Sequence, residues 1–141
     1  MWKLIDKGEL ELENKALNYY ENGFNCAQSV LKACNEHLKL TDNEEDLIKA
    51  SMGLGTGMFV GETCGAVTGA IMALSLKLGS SEASDRENMR KVFKQIKIFE
   101  TNFKEQNCSM NCKELKTVHK IDCKKVIKDS VKQIEKQINE L

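Results

Sequence analysis

Four of the six cysteines in this 141-residue chain, Cys26, Cys64, Cys112 and Cys123, each follow a residue that favours helix N-caps: Asn25, Thr63, Asn111 and Asp122. A thiol at such a position lies beside unpaired backbone N–H groups and the positive end of the helix dipole. Both favour thiolate over thiol and draw the pKa from about 8.5 toward neutrality. Thiolate is the form that attacks disulfides and ligates metals, so the repeated placement predicts sulfur chemistry at these four positions. Cys34 stands apart: eight residues beyond Cys26 on the same expected helix, it lies about 12 Å further along the axis and reads as core. Cys108 has a stronger claim, because the Cys108-x-x-x-Cys112 spacing brings two sulfurs within one helical turn or a tight loop.

Three chemistries fit four thiolates. If Cys26, Cys64, Cys112 and Cys123 converge, they suit an iron–sulfur cluster, best a two-iron one, whose negative charge the helix N-termini offset; electron transfer follows. The same set suits structural zinc, although the usual paired Cys-x-x-Cys knuckles are missing. Alternatively two of them form a reversible disulfide, one attacking and one resolving; without Cys-x-x-Cys or a βαβ pattern this is not a thioredoxin-like device. A non-enzymatic alternative is a helical interaction protein whose cysteines are buried packing residues. Among other candidates, His37 near the end of its helix reads as a surface residue, and Glu62 reads as solvent-exposed. His119, between Cys112 and Cys123, has a weaker case as a substitute ligand. No Ser/His/acid set or carboxylate pair supports hydrolysis.

Composition narrows the partners. Lys plus Arg equals Asp plus Glu at 21 each, and no basic cluster carries interleaved aromatics, so nucleic acid is not expected as a partner. The first 15 residues alternate charged and apolar types and hold no signal-peptide core, which predicts a cytoplasmic protein. In a reducing compartment six cysteines point to metal or redox groups rather than permanent disulfides.

The elements that must position these cysteines read as helices. The chain has no proline, and Asn25 with Gln28, Thr41 with Glu44, and Ser84 with Glu87 match the capping-box spacing. Helices are expected over 9–21, with Leu12, Ala16, Leu17 and Tyr20 on one face and Asn22-Gly23 closing it, then over 26–38 and 44–54. A fourth, 64–78, is apolar nearly all round and reads as buried, yet too short to insert in a membrane. The fifth, 85–104, carries Met89, Val92, Phe93, Ile96, Phe99 and Phe103 on one face. The last runs from Cys123 with Ile127, Val131, Ile134, Ile138 and Leu141 in a stripe that suits either the core or a second subunit. These features predict an all-α single domain over residues 1–141, a bundle of five or six helices, as a homodimer with an unidentified redox partner.

Glycine adds a second constraint. Gly53, Gly57, Gly61, Gly65 and Gly69 recur every four residues, with Gly55 between the first two. Because glycine costs roughly 1 kcal/mol per helix position relative to alanine, a glycine-rich loop leading into a helix is preferred over an unbroken helix. Gly61, Gly65 and Gly69, around Cys64, are then the positions where another backbone or a flat cofactor comes close. The spacing matches neither the dinucleotide fingerprint nor the P-loop.

The run from Gly61 to Ala70, Gly-Glu-Thr-Cys-Gly-Ala-Val-Thr-Gly-Ala, follows Asn25-Cys26-Ala27 and precedes Cys112-Lys113-Glu114-Leu115 and Cys123. Together these resemble the C_GCAxxG_C_C family of redox-active proteins, over about residues 16–131. The resemblance implies a small, mostly helical protein with redox or metal function, whose signature cysteines are Cys26, Cys64, Cys112 and Cys123. It also implies a likeness to part of the split-Soret cytochromes, which carry haem and an iron–sulfur centre. Here no Cys-x-x-Cys-His occurs, which excludes covalent c-type haem. The chain departs from the family where Lys116, Thr117 and Val118, rather than an early glycine, follow Leu115.

Overall fold

The computed structural model describes the backbone over residues 7–141 and the side-chain surroundings from residue 11 onward. Among the described residues seven α-helices follow one another: α1 (Lys7–Glu21), α2 (Cys26–Leu38), α3 (Glu44–Ser51), α4 (Gly65–Leu78), α5 (Arg86–Asn107), α6 (Cys112–Thr117) and α7 (Cys123–Asn139). The all-α expectation holds, and no helix among the described residues is long and apolar enough to cross a membrane. Helices α2, α4 and α7 pack against one another, with α1 laid against α2 and α7, and α5 against α4 and α7. The core lies between them: Leu12, Val30, Leu31, Cys34, Val67, Leu74, Phe99, Phe103, Ile127, Val131 and Ile134 are all almost fully buried.

Local chemistry explains most helix ends. Asn25 forms the full capping box with Gln28: its Oδ1 accepts the Gln28 N–H at 2.9 Å, and Gln28 Oε1 accepts the Asn25 N–H at 3.1 Å. Gly23, at φ +107°, ends α1 as expected, with the Phe24 N–H donating to the Tyr19 carbonyl at 3.1 Å. The other two expected capping boxes do not form. Asn43, not Thr41, takes the N-cap position of α3 without a side-chain cap hydrogen bond, and Thr41 Oγ1 instead accepts the Asn43 N–H. Asp85, not Ser84, caps α5, with its carboxylate accepting the Asn88 N–H at 3.0 Å.

Three helical expectations need correction. Helix α3 stops at Ser51, and Met52–Leu54 tighten into a 3₁₀ turn because the glycines that follow do not sustain an α-helix. The stretch read as a connection before the last helix contains α6, whose start at Cys112 the Asn111 cap had marked. On α5 the apolar stripe is real, yet of its residues only Phe99 and Phe103 are buried, while Met89 and Phe93 stay exposed because no element among the described residues covers the helix's N-terminal half. Most of the α7 stripe lies inside the chain, with Ile127, Val131 and Ile134 in the core and Ile138 packed at its edge, while Leu141 is exposed.

Candidate functional site

The four cysteines reach one place from four separate elements. Cys26 is the first residue of α2, held by the Asn25 box; Cys64 is the N-cap of α4. Cys112 opens α6 behind the Asn111 cap, whose side chain accepts the Glu114 N–H at 2.9 Å. Cys123 opens α7 behind Asp122, which accepts the Lys124 N–H at 2.8 Å. Only Cys64 departs from the expected placement, since it occupies the cap itself and Thr63 lies in extended chain beyond the helix.

That extended chain joins two of the cysteines. Thr63 pairs with Asn111 in an antiparallel bridge, flanked by the Cys64 N–H donating to the Met110 carbonyl at 2.7 Å and the Cys112 N–H donating to the Glu62 carbonyl. In this register Cys64 and Cys112 point to the same side as diagonal neighbours, a relation that separates Cα atoms by roughly 7–8 Å.

All four cysteines line one cavity of about 90 Å³, together with Tyr20, Asn25, Thr56, Leu115, Lys116, Ile121 and Val126. That exceeds the ~10–15 Å³ that a single water needs. Cys26, Cys64 and Cys112 are buried, and Cys123 is half-buried; every cysteine in the chain is unpaired. Among the described residues no three His, Cys, Asp or Glu side chains are already arranged to hold a metal ion.

Glycines shape the cavity by being absent as side chains. A Cβ on Gly65 would stand 2.2 Å from Cys26 Sγ, so the hydrogen at that position is what admits the sulfur. A Cβ on Gly69 would meet the Ala27 carbonyl at 2.6 Å, and this lets α4 press against the first turn of α2. Both faces are thus filled by α2, whereas Gly61, at φ +75°, lies beside Lys113 at the end of a π turn, Gly57–Gly61, that replaces part of the expected loop. That loop wall is strained: Thr56, Gly57, Met58 and Phe59 all have left-handed backbone, at φ +51° to +64°.

Burial decides the electrostatics. At Cys64 it pushes the thiol up to about 12, although the N–H groups of Ala66 and Val67 pull the other way. Burial also raises Cys112, against the Lys116 ammonium and together with Cys26 and Cys123. The expected lowering of these two thiols is therefore overturned, because desolvation outweighs the helix terminus. Tyr20 is pushed up to about 12 by burial and by contact with the Cys123 thiol.

The remaining candidates fall outside the cavity lining. Cys34 is wholly buried in the core, and burial lifts it to about 12. Cys108 is exposed at the C-cap of α5, and His119 and Glu62 are exposed. His37 is not a free surface residue: its Nε2 lies 2.7 Å from Glu135 Oε2 and ties α2 to α7. The sequence reading missed Tyr20 and Lys116 as neighbours of the cysteines. Tyr20 was visible only as part of the α1 apolar face, and Lys116 sits at i+4 from Cys112 on a helix not foreseen.

The model of one protein family, described as "putative redox-active protein (C_GCAxxG_C_C)", matches residues 24–137. The chain belongs to this family. Its cavity cysteines all lie inside the matched region, as does the whole glycine-rich loop. No curated protein and no solved structure matches the chain.

Proposed function

We propose that the four-cysteine cavity holds an iron–sulfur cluster, best a two-iron one, and that the protein transfers electrons through it. One observation carries this reading: four cysteines from four elements line a single cavity, and none is paired. Four soft sulfur donors with no competing carboxylate or imidazole among the lining residues form a set that favours iron–sulfur or zinc over hard cations. When bound, such a cluster supplies a one-electron couple whose potential depends on burial and on hydrogen bonds to sulfur.

The chain's own residues divide the work. Cys26 and Cys64 are held from the buried side, Cys26 by the Asn25 box and Cys64 by its backbone bond to Met110. Loading requires each ligand to lose its proton, which burial opposes at Cys64 and Cys112; there the Ala66 and Val67 N–H groups and Lys116 favour the resulting thiolates. Loading also requires the lining thiols to draw together, because no three of the described side chains are preset as a coordination shell. Cys123, the most accessible of the four, and Tyr20 beside it form the edge nearest solvent.

The test is anaerobic reconstitution with ferrous iron and sulfide, followed by visible absorption and metal analysis. The proposal expects about two irons per chain and sulfur-to-iron bands that bleach on reduction. The Cys64→Ser variant should lose them. A colourless protein with one bound zinc, or a metal-free protein cycling between dithiol and disulfide, would contradict it.

A further inference from the structure

Away from the cysteines, the N-terminal half of α5 presents an apolar ridge that no element among the described residues covers. Met89 and Phe93 are 55% and 63% exposed, and Val92 and Ile96 are half-buried. Phe93 and Ile96 separate two depressions of about 450 and 260 Å³. One runs to Ser75 and Gly79 at the end of α4, the other to Val67 and Ile71 on its flank. The ridge and its two hollows thus make a groove along α4 and α5.

A basic line borders the groove. Arg86, Arg90, Lys94 and Lys97 step by four, four and three residues, so they share the α5 flank next to the ridge. The ion pairs within α5 among the described residues are Lys91 with Glu87 and Lys104 with Glu100, which leaves these four cations uncommitted. Lys97 Nζ stands 5.3 Å from the Phe93 ring centroid, so the charged and apolar parts are continuous. Of the three carboxylates on the groove walls, Glu82, Asp85 and Glu100, Asp85 is engaged in capping α5 through the Asn88 N–H and Glu100 is held by Lys104.

We infer that this groove docks an acidic amphipathic helix of a partner protein, with apolar side chains seated on either side of Phe93 and carboxylates along the basic line. Hollows flanking a ridge accept the i, i+4 and i+7 side chains of a helix, whereas a bilayer offers no knobs to fill them. A second copy laid antiparallel across a twofold axis would set one basic line against the other. Complementary charge on an acidic helix suffers neither mismatch.

The probe is a fluorescent helical peptide about 18 residues long, with leucine at i, i+4, i+7 and i+11 and glutamate on the flanks, alongside a version with lysine for each glutamate. Anisotropy titrations should show binding of the acidic peptide alone, weakened as salt rises. Phe93→Ser, at an exposed position that the fold does not need, should weaken it about tenfold or more. The Arg90→Glu/Lys94→Glu double variant should reverse the preference toward the lysine peptide. Cys64→Ser should bind as the parent does, which separates this surface from the redox proposal. Equal binding of both peptides, no binding of the acidic one, or indifference to Phe93→Ser would overturn the inference. So would preferential capture by phosphatidylserine vesicles, or a dimer in solution that Phe93→Ser dissociates.

Discussion

Cys26 and Cys34 lie on one helix, yet they belong to two differently built regions. Around Cys34, in the body of the bundle, apolar side chains repeat at helical spacing, and Val30, Leu31, Ile127 and Ile134 shut out solvent entirely. Around Cys26 the chain abandons that repeat. Helix caps, one β-bridge, left-handed residues and glycines without room for a Cβ hold the cavity wall. The body is specified by many interchangeable apolar contacts, the cysteine end by a few contacts with no substitute. Stability should therefore concentrate in one region and sulfur chemistry in the other.

The sharpest way to separate the two is to damage each alone. Phe103→Ala removes a fully buried ring and should cost about 3–5 kcal/mol in urea unfolding, while the remaining folded protein keeps its metal capacity. Gly65→Val should cost less, about 1–3 kcal/mol from overpacking, yet abolish metal binding, because the new side chain displaces Cys26 Sγ. Gly53→Ala is the control: nothing stands within 4 Å of its Cβ position, and stability should stay within about 0.5 kcal/mol of the parent. If Phe103→Ala and Gly65→Val damaged both properties equally, the division would fail.

Alkali sharpens the same contrast. Burial lifts Cys34 and Cys64 from 9.0 to about 12, so the unfolded chain releases these protons first as pH rises. Their contribution is full below pH 9 and declines between 9 and about 12, by about 1.4 kcal/mol per pH unit for each thiol. Metal loading removes the Cys64 proton and should flatten that part of the decline, leaving the Cys34 part. Denaturant midpoints measured across this range, with and without metal, would show it. A smaller effect, of opposite sign, belongs to the loop wall. Thr56→Gly relieves a left-handed φ of +51° and should stabilise by about 1 kcal/mol or less, since glycine also loosens the unfolded chain. A loss of stability there would mean that the Thr56 side chain contributes more than its strain costs.

Much of the body was legible in sequence because periodicity reports burial. The stripes Leu12–Ala16 on α1 and Ile127–Val131–Ile134 on α7 fall in the core, and the Asn25–Gln28 box starts α2 where the spacing said. The four cysteines were legible through their neighbours, Asn25, Asn111 and Asp122, which cap helices in fact. Three things were not legible. The thiol ionisation at Cys64 and Cys112 depends on burial, which a local capping argument does not contain. The Thr63–Asn111 bridge joins residues far apart in the chain through backbone groups that any residue carries. The exposure of Phe93 depends on which helix faces remain uncovered, and an amphipathic pattern does not say what covers it.

The most direct test of the account is iron stoichiometry after anaerobic reconstitution across six single Cys→Ser variants. The account predicts that Cys26→Ser, Cys64→Ser, Cys112→Ser and Cys123→Ser each lose cluster binding, while Cys34→Ser and Cys108→Ser keep it, with Cys34→Ser less stable. Full binding in any of the first four, or loss in Cys108→Ser, would contradict the claim that these four cysteines make one redox site.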